Sequence, residues 1–407
     1  MRTRSAWFAV VAFAHMCTPA AAQTVLSEID AIARLSADSP RVRAIRSSVD
    51  ITRAEVLGAG RWPNPRLNVD RESVAGVSEI LTTVLQPLPV TGRRTFERDA
   101  ASALVESAAR RADDEVRRVR ADLRLAYADV AVAQVREREL TRSRDRLQEL
   151  ARILEKREAA GDAAGFDRLR VEREVLDLEA DRVLASGSRA RAQAQLASFF
   201  AAGVDPAALI VEERVIGVRD LPGTAALVEQ AERTRGEIAA LQKEMESAQL
   251  ARQAADRRRI PEPELLAGAK SSSVGGGDIG SVIGVQAVLP VFDAGKPERA
   301  LAEAKAAQAT ARLESLRVRL RAEVAATRAA AVESRRAAQA YRESALKNIG
   351  DIERIAQVSY DAGERGILEL LDAFRTSAAA RVRQAALDAA AREAEIELEF
   401  VSGWEIP

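Results

Sequence analysis

The chain carries two hydrophobic periods. From Val116 onward, apolar residues recur three or four positions apart. The stripe runs through Val116, Val119, Leu123, Ala126, Val130, Ala133, Leu140, Leu147, Ala151 and Leu154, with Glu137 and Arg144 at the two polar positions. That spacing puts one stripe on a helix, and its persistence over several heptads predicts a coiled coil. Small residues within it allow close helix approach. A helix of about 60 residues is on the order of 90 Å long. One chain can cover such a stripe only with its own hairpin partner and neighbouring subunits, so the periodicity predicts oligomerisation.

Period two marks four short stretches, 66–72, 79–86, 264–271 and 279–288. In the last, Ile279, Ser281, Ile283, Val285 and Ala287 share one face, while Gly280, Val282, Gly284, Gln286 and Val288 share the other. Strands of this length suit a transmembrane barrel or a small soluble sheet, and the residues alone leave both open.

The two periods recur in order. WPNPRL (62–67) resembles IPEPEL (260–265), an offset of 198. LPV (88–90) returns at 289–291, an offset of 201. AGDAAGFDRLRVER (160–173) aligns with AGERGILELLDAFR (362–375), an offset of 202. Each half then reads alike: a helical segment (27–58; 222–258), a proline pair, two strands around a Gly/Ser-rich turn, a further proline, a helix of about 60 residues, a glycine break and a helix of about 30. The expected divisions are 1–22, a first repeat over 23–202, a linker over 203–221, a second repeat over 222–400 and a tail over 401–407.

Residues 1–22 read as a secretory signal. Arg2 and Arg4 precede the apolar run Ala6–Ala14, and Ala20-Ala21-Ala22 offers a cleavage site before Gln23. The only His (His15) and the only Cys (Cys17) lie inside this segment. Ala14-His15-Met16 fits a lipoprotein signal at Cys17 poorly. Removal of the segment excludes His- or Cys-dependent catalysis, a His/Cys metal site and disulfides. No cofactor is expected. Lys plus Arg and Asp plus Glu are both 61, which gives no electrostatic footprint for nucleic acid.

Two motifs invite chemistry. Gly275, Gly277 and Gly280 fit G-x-G-x-x-G, but they fall between two strand stretches and not before a helix, so they read as a loop. In SYDAGERGILELLDAFR (359–375) a helix ends near Asp361, Gly363 or Gly366 supplies a left-handed turn, and a new helix opens. Glu369 and Asp372 lie one turn apart on that helix. On spacing alone they are a solvated, helix-starting acid pair.

Taken together, the duplicated order, the four strand stretches, the paired long helices and both glycine breaks resemble the TolC family of outer-membrane efflux channels. The stretch AGERGILELLDAFR most resembles the heavy-metal, cobalt-zinc-cadmium type branch. The resemblance implies a mainly α chain with a small β-barrel part. Four strands per protomer would close a twelve-stranded barrel in a homotrimer embedded in outer-membrane lipid, above a coiled-coil tunnel through the periplasm. It implies a periplasmic membrane-fusion adaptor docking at tips around Gly161, Gly165, Gly363 and Gly366, and an inner-membrane pump of the resistance-nodulation-division type. By position, the gate falls on Asp167, Tyr360 and Arg365, and the acidic pore rings on Glu369 and Asp372. The family often has Asp at position 369, so Glu changes the ring radius but keeps its charge.

The competing reading is a periplasmic adaptor or another coiled-coil structural protein. An adaptor usually has one helical hairpin between β-rich domains, whereas two hairpins are expected here. The expected mature chain has one Met (Met245) and no His or Cys. Soft metals prefer sulfur and imidazole ligands, so a metal-exporting relative of this composition would be a passive conduit.

Overall fold

The computed structural model describes residues 25–35, 39–160, 165–213 and 220–404. The expected signal segment and Gly161 lie outside them. Elements run in chain order as β1 (Val25–Leu26), α1 (Glu28–Arg34), α2 (Pro40–Gly58), β2 (Arg66–Val74), β3 (Val77–Pro87), α3 (Arg93–Ala159), α4 (Gly165–Ala197), β4 (Ile210–Val211), α5 (Thr224–Thr234), α6 (Gly236–Arg257), β5 (Pro263–Ser272), β6 (Ile279–Ala287), α7 (Lys296–Tyr341), α8 (Ile349–Asp361) and α9 (Ile367–Ser402).

The α3 helix has 67 residues, about 100 Å at the helical rise. It follows the strand-ending Pro87 and Pro89, and Gly92 at φ 73° turns the chain into it. None of the twelve stripe positions from Val116 to Leu154 is exposed, and Leu123, Val130 and Leu154 are fully enclosed. Three cores form along the long axis in place of one. One joins β1, α1 and β4 to the middle of α3, another packs α5, α6, α7 and the end of α9, and the last joins the ends of α3 and α8 to the starts of α4 and α9.

Three expected helices are divided. The first helical segment breaks before Pro40, whose ring suits a helix start but not an interior. The second breaks at Arg235, which is extended (φ −70°, ψ 114°). The second long helix, expected to be continuous, leaves α-geometry at a π-turn over Arg342–Leu346 and restarts at Ile349. Its counterpart α3 has no such interruption. The parallel pair β1·β4 was not expected, being two residues long. Tyr127 holds it, donating to the Leu26 carbonyl at 2.8 Å and accepting from the Glu212 N–H at 3.0 Å.

The shorter helices meet end to end beside the long ones. At the α4–α2 joint, Ser39 donates to the Phe199 carbonyl at 3.2 Å, and Arg41 lies 4.1 Å over the Phe199 ring. At the α9–α6 joint, Arg117 and Arg235 donate to the Phe400 carbonyl at 3.2 and 3.4 Å. Asp114 accepts from the Glu237 N–H at 2.8 Å. Each joint thus places cations at a helix C-terminus, and the second also places an acid at a helix N-terminus, as the helix dipoles favour. Phe199 and Phe400 are one repeat apart.

The remaining strands form one antiparallel sheet in the order β2-β3-β5-β6. All four expected stretches are strands; the first three run one or two residues further, and the last ends one residue early, at Ala287. The G-x-G-x-x-G glycines are not a phosphate loop: Gly275 and Gly277 turn the chain between β5 and β6 at positive φ, and Gly280 lies in β6. Among the described residues no helix is long and apolar enough to cross a membrane.

Candidate functional site

The sheet has two chemically distinct faces. Register places Leu67, Val69, Ile80, Val84, Leu265, Ile283 and Val285 on one face. They are exposed, Ile283 at 80% and Val285 at 72%. Arg71 is the only charged residue on that face. The opposite face carries Arg66, Asp70, Glu72, Glu79, Glu264 and Lys270. There, Arg66 of β2 reaches Glu264 of β5 at 2.5 Å, across the intervening β3. Contact between side chains two strands apart fits a sheet that curls around that face. Thr83 and Leu85 lie buried beneath it, 3% and 5% exposed. The wall is therefore apolar and exposed on its convex side, and polar and charged on its concave side. A membrane barrel needs this arrangement, and a soluble sheet avoids it.

The opposite end of the long helices gathers both glycine breaks. Leu147, Leu150 and Leu154 of α3 pack with Val171 of α4 and with Ile367, Leu370 and Leu371 of α9. Glu174 of α4 takes a bidentate ion pair from Arg375 of α9, both oxygens at 2.7 Å. Gly363 has φ 73° and closes α8: its N–H reaches the Tyr360 carbonyl at 3.0 Å, and the Glu364 N–H reaches the Ser359 carbonyl at 2.9 Å. This is the two-bond left-handed helix stop that favours glycine. Gly366 does not share that geometry: it is extended (φ −81°, ψ 172°) and begins α9. Gly165 is the first residue of α4.

Glu369 and Asp372 are both exposed on α9, one turn apart, while Leu370, Leu371 and Ala373 between and beside them are buried. Tyr360 is half-buried among α3, α4 and α8. Burial pushes its hydroxyl pKa up; the Arg157 guanidinium opposes this, and the Asp167 and Asp361 carboxylates add to the rise. Tyr360 thus feels the charge of Asp167 within one protomer. The structure does not bring Arg365 to Asp167: Arg365 is exposed, and among the described residues of one protomer no ion pair or hydrogen bond joins the two side chains.

The sequence reading missed two tip residues. Arg157 sits in the basic last turn of α3, a position that reads only as a helix-dipole partner. Glu353 of α8 binds Arg146 of α3 at 2.9 Å and Arg381 of α9 at 3.0 Å, and also accepts from Ser377. Burial pushes the Glu353 carboxyl up, but hydrogen bonds from Ser377, Arg381 and Arg146 outweigh it and hold the group below the usual carboxylate range. In sequence it is one more acid on an acid-rich helix.

The signature of the family described as outer membrane efflux protein matches residues 227–403. Solved structures with this fold include the outer membrane protein VceC of Vibrio cholerae, at TM-score 0.72 and 17% identity over 92% of this chain and 96% of that one. The open-state MtrE outer membrane channel of Neisseria gonorrhoeae aligns at TM-score 0.71 and 18% identity over 92% and 88%. The cobalt-zinc-cadmium resistance protein CzcC of Cupriavidus metallidurans is 24% identical over 84% of this chain and 81% of its own length. Residues 227–403 thus carry the outer membrane efflux protein signature, and the chain as a whole has the fold of these channels. The signature covers the second repeat, and the structural likeness extends over both. The adaptor reading fails on the same ground: two helical hairpins share a single sheet, without flanking β-rich domains among the described residues.

Proposed function

We propose that this chain is the outer-membrane channel of a tripartite efflux system. Three copies close a twelve-stranded barrel in outer-membrane lipid, and their long helices form a periplasmic tunnel. The two-faced curled sheet carries this reading, because an exposed apolar convex wall around a charged interior is stable only in lipid. The repeats 23–202 and 222–400 each supply one strand hairpin and one long-helix hairpin, and β4, within the linker 203–221, forms part of an equatorial belt with β1 and α1. Heavy-metal cations are the cargo the likeness to CzcC favours. The cargo is delivered by a resistance-nodulation-division type pump.

The tips at Gly161, Gly165, Gly363 and Gly366 receive the periplasmic adaptor. A Cβ at Gly363 meets nothing within 4 Å, so a substitution there acts through the backbone alone. Holding a β-branched residue in the left-handed region costs about 1–2 kcal/mol. Gly363→Val is expected to weaken adaptor crosslinking while the barrel still assembles. Unchanged crosslinking and efflux would count against docking at this tip.

Cell fractionation tests the assembly. The mature protein should begin at Gln23, sediment with the outer membrane and run as a heat-dissociable trimer in detergent. Recovery as a detergent-free soluble protein would overturn the channel reading. A lipidated Cys17 would overturn only the cleavage site.

A further inference from the structure

The likeness of WPNPRL to IPEPEL extends one residue upstream. Arg61-Trp62-Pro63 recurs as Arg259-Ile260-Pro261, at the same offset of 198. The first triplet stands between α2 and β2, the second between α6 and β5. Each repeat thus enters its strand hairpin through an arginine, an apolar residue and a proline. Both arginines are exposed, as are Trp62 at 63% and Ile260 at 47%. Arg259 and Ile260 precede β5, which is already paired on both sides within one copy. An open strand edge therefore does not account for their exposure.

Strand length sets the height of the triplets. β2, β3, β5 and β6 have 9, 11, 10 and 9 residues, the length a tilted strand needs to cross the hydrocarbon of a bilayer. Residues just outside the strand ends then fall in the headgroup layer, and both triplets fall there on the tunnel side. Tryptophan suits that layer, with its ring against acyl chains and its N–H among polar groups.

Charge selects the headgroup. The chain balances 61 bases against 61 acids, and most bases at this level are held by acids. Arg93 is held by Glu97 at 2.6 Å and Glu262 at 3.0 Å, and Arg258 by Glu298 at 2.8 Å. Among the described residues no ion pair holds Arg61 or Arg259. The Arg61 carbonyl accepts from Arg94, which ties the turn to the start of α3 without using the Arg61 guanidinium. Beyond β6, Asp293 and Lys296 are both exposed and together add no net charge. A guanidinium matches phosphate through two parallel hydrogen bonds. Zwitterionic headgroups set their own ammonium against that phosphate, so an exposed arginine at this depth favours the anionic class. We propose that Arg61 and Arg259 bind the phosphates of anionic phospholipids in the periplasmic leaflet, while Trp62 and Ile260 anchor at the tops of the acyl chains.

This inference rests on the channel reading, and its test separates the two. After the proposed cleavage, Trp404→Phe leaves Trp62 as the only tryptophan. That protein is reconstituted in mixed bilayers of phosphatidylglycerol and phosphatidylcholine, one of them brominated on its acyl chains. Quenching of Trp62 then gives the relative affinity of the two lipids. A base beside anionic lipid is worth about fivefold, so phosphatidylglycerol is expected to be favoured about fivefold. Arg61→Gln should bring the ratio close to one, and Arg61→Lys should keep part of it. Arg173→Gln, which removes an exposed base near the tip, should leave it unchanged. Ile260→Trp with Trp62→Phe and Trp404→Phe reads the second site in the same way, against Arg259→Gln. The ratio is read first with both arginines intact, so the inference can fail before either is changed. Each protein is also recorded in planar bilayers.

A ratio of one with the arginines intact, or a fivefold preference that survives their replacement, overturns the headgroup sites. Equal loss in Arg173→Gln overturns them too, since the effect would then be one of net charge. No quenching by either lipid in a protein that conducts overturns the sites and leaves the channel. No quenching and no conductance overturns the channel reading as well.

Discussion

Asp372→Asn with Glu369→Gln is expected to abolish cation selectivity. Both acids are exposed on α9, just past the tip, and threefold symmetry would make each a ring of three carboxylates. Two such charges about 6 Å apart repel by roughly 3 kcal/mol at an effective dielectric near 20, and a cation entering the ring relieves that repulsion. Hydrated multivalent cations have the strongest claim on such oxygens. The wild-type channel should therefore favour cations and be plugged from the periplasmic side by a trivalent ion. Each 1.4 kcal/mol of lost attraction is tenfold in occupancy, so the double variant should lose about two orders of magnitude in block. Arg375, one turn beyond Asp372, is held by Glu174 at 2.7 Å and so is turned to α4. Reversal potentials in asymmetric salt check the prediction. An anion-selective wild type, or a double variant blocked as strongly, would reduce the acids to a solvated helix start.

The second large effect concerns closure. Within one protomer Tyr360 feels the charges of Arg157 and Asp167, whereas among the described residues no ion pair holds Arg365. In the closed tunnel we place Arg365 against Asp167 of a neighbouring copy. An exposed ion pair contributes only about 0–1 kcal/mol. Three copies could then hold the closed state by up to about 3 kcal/mol, roughly a hundredfold in population. That is enough to keep a resting channel shut and small enough for adaptor docking to release. Arg365→Ser with Tyr360→Phe should raise single-channel conductance and sensitise cells to large antibiotics. Asp167→Asn should do the same. Unaltered conductance in these variants refutes the lock. If conductance responds to Tyr360→Phe alone, Tyr360 acts through Arg157 and Asp167 in its own protomer, without Arg365.

The sequence announced what repeats. The α3 stripe was readable because it persists over five heptads, and the strands because their faces alternate and recur at constant offset. The left-handed stop after α8 was readable as a glycine turn, but not its assignment to Gly363 over Gly366, which depends on where the last carbonyls fall. The π-turn at Arg342–Leu346 was hidden because its residues are ordinary helix formers. Within it, Arg342 meets Asp388 of α9 at 2.5 Å. Glu353 and Arg157 were hidden for a related reason. In a chain with 61 acids and 61 bases, sequence cannot tell the few charges that tie helices together from the many that face water. The site residues that were legible lie at chain reversals, where glycine marks the position.

Cysteine labelling on intact cells tests the topology most directly. Cleavage before Gln23, as proposed, would remove Cys17 and leave no background thiol. Val274→Cys sits in the turn between β5 and β6, and Glu364→Cys sits beside Gly363 at the opposite end. A membrane-impermeant maleimide should label Val274→Cys on intact cells, and Glu364→Cys only after the outer membrane is permeabilised. Labelling of Glu364→Cys on intact cells, or of neither variant until lysis, would contradict a barrel that opens outward above a periplasmic tunnel.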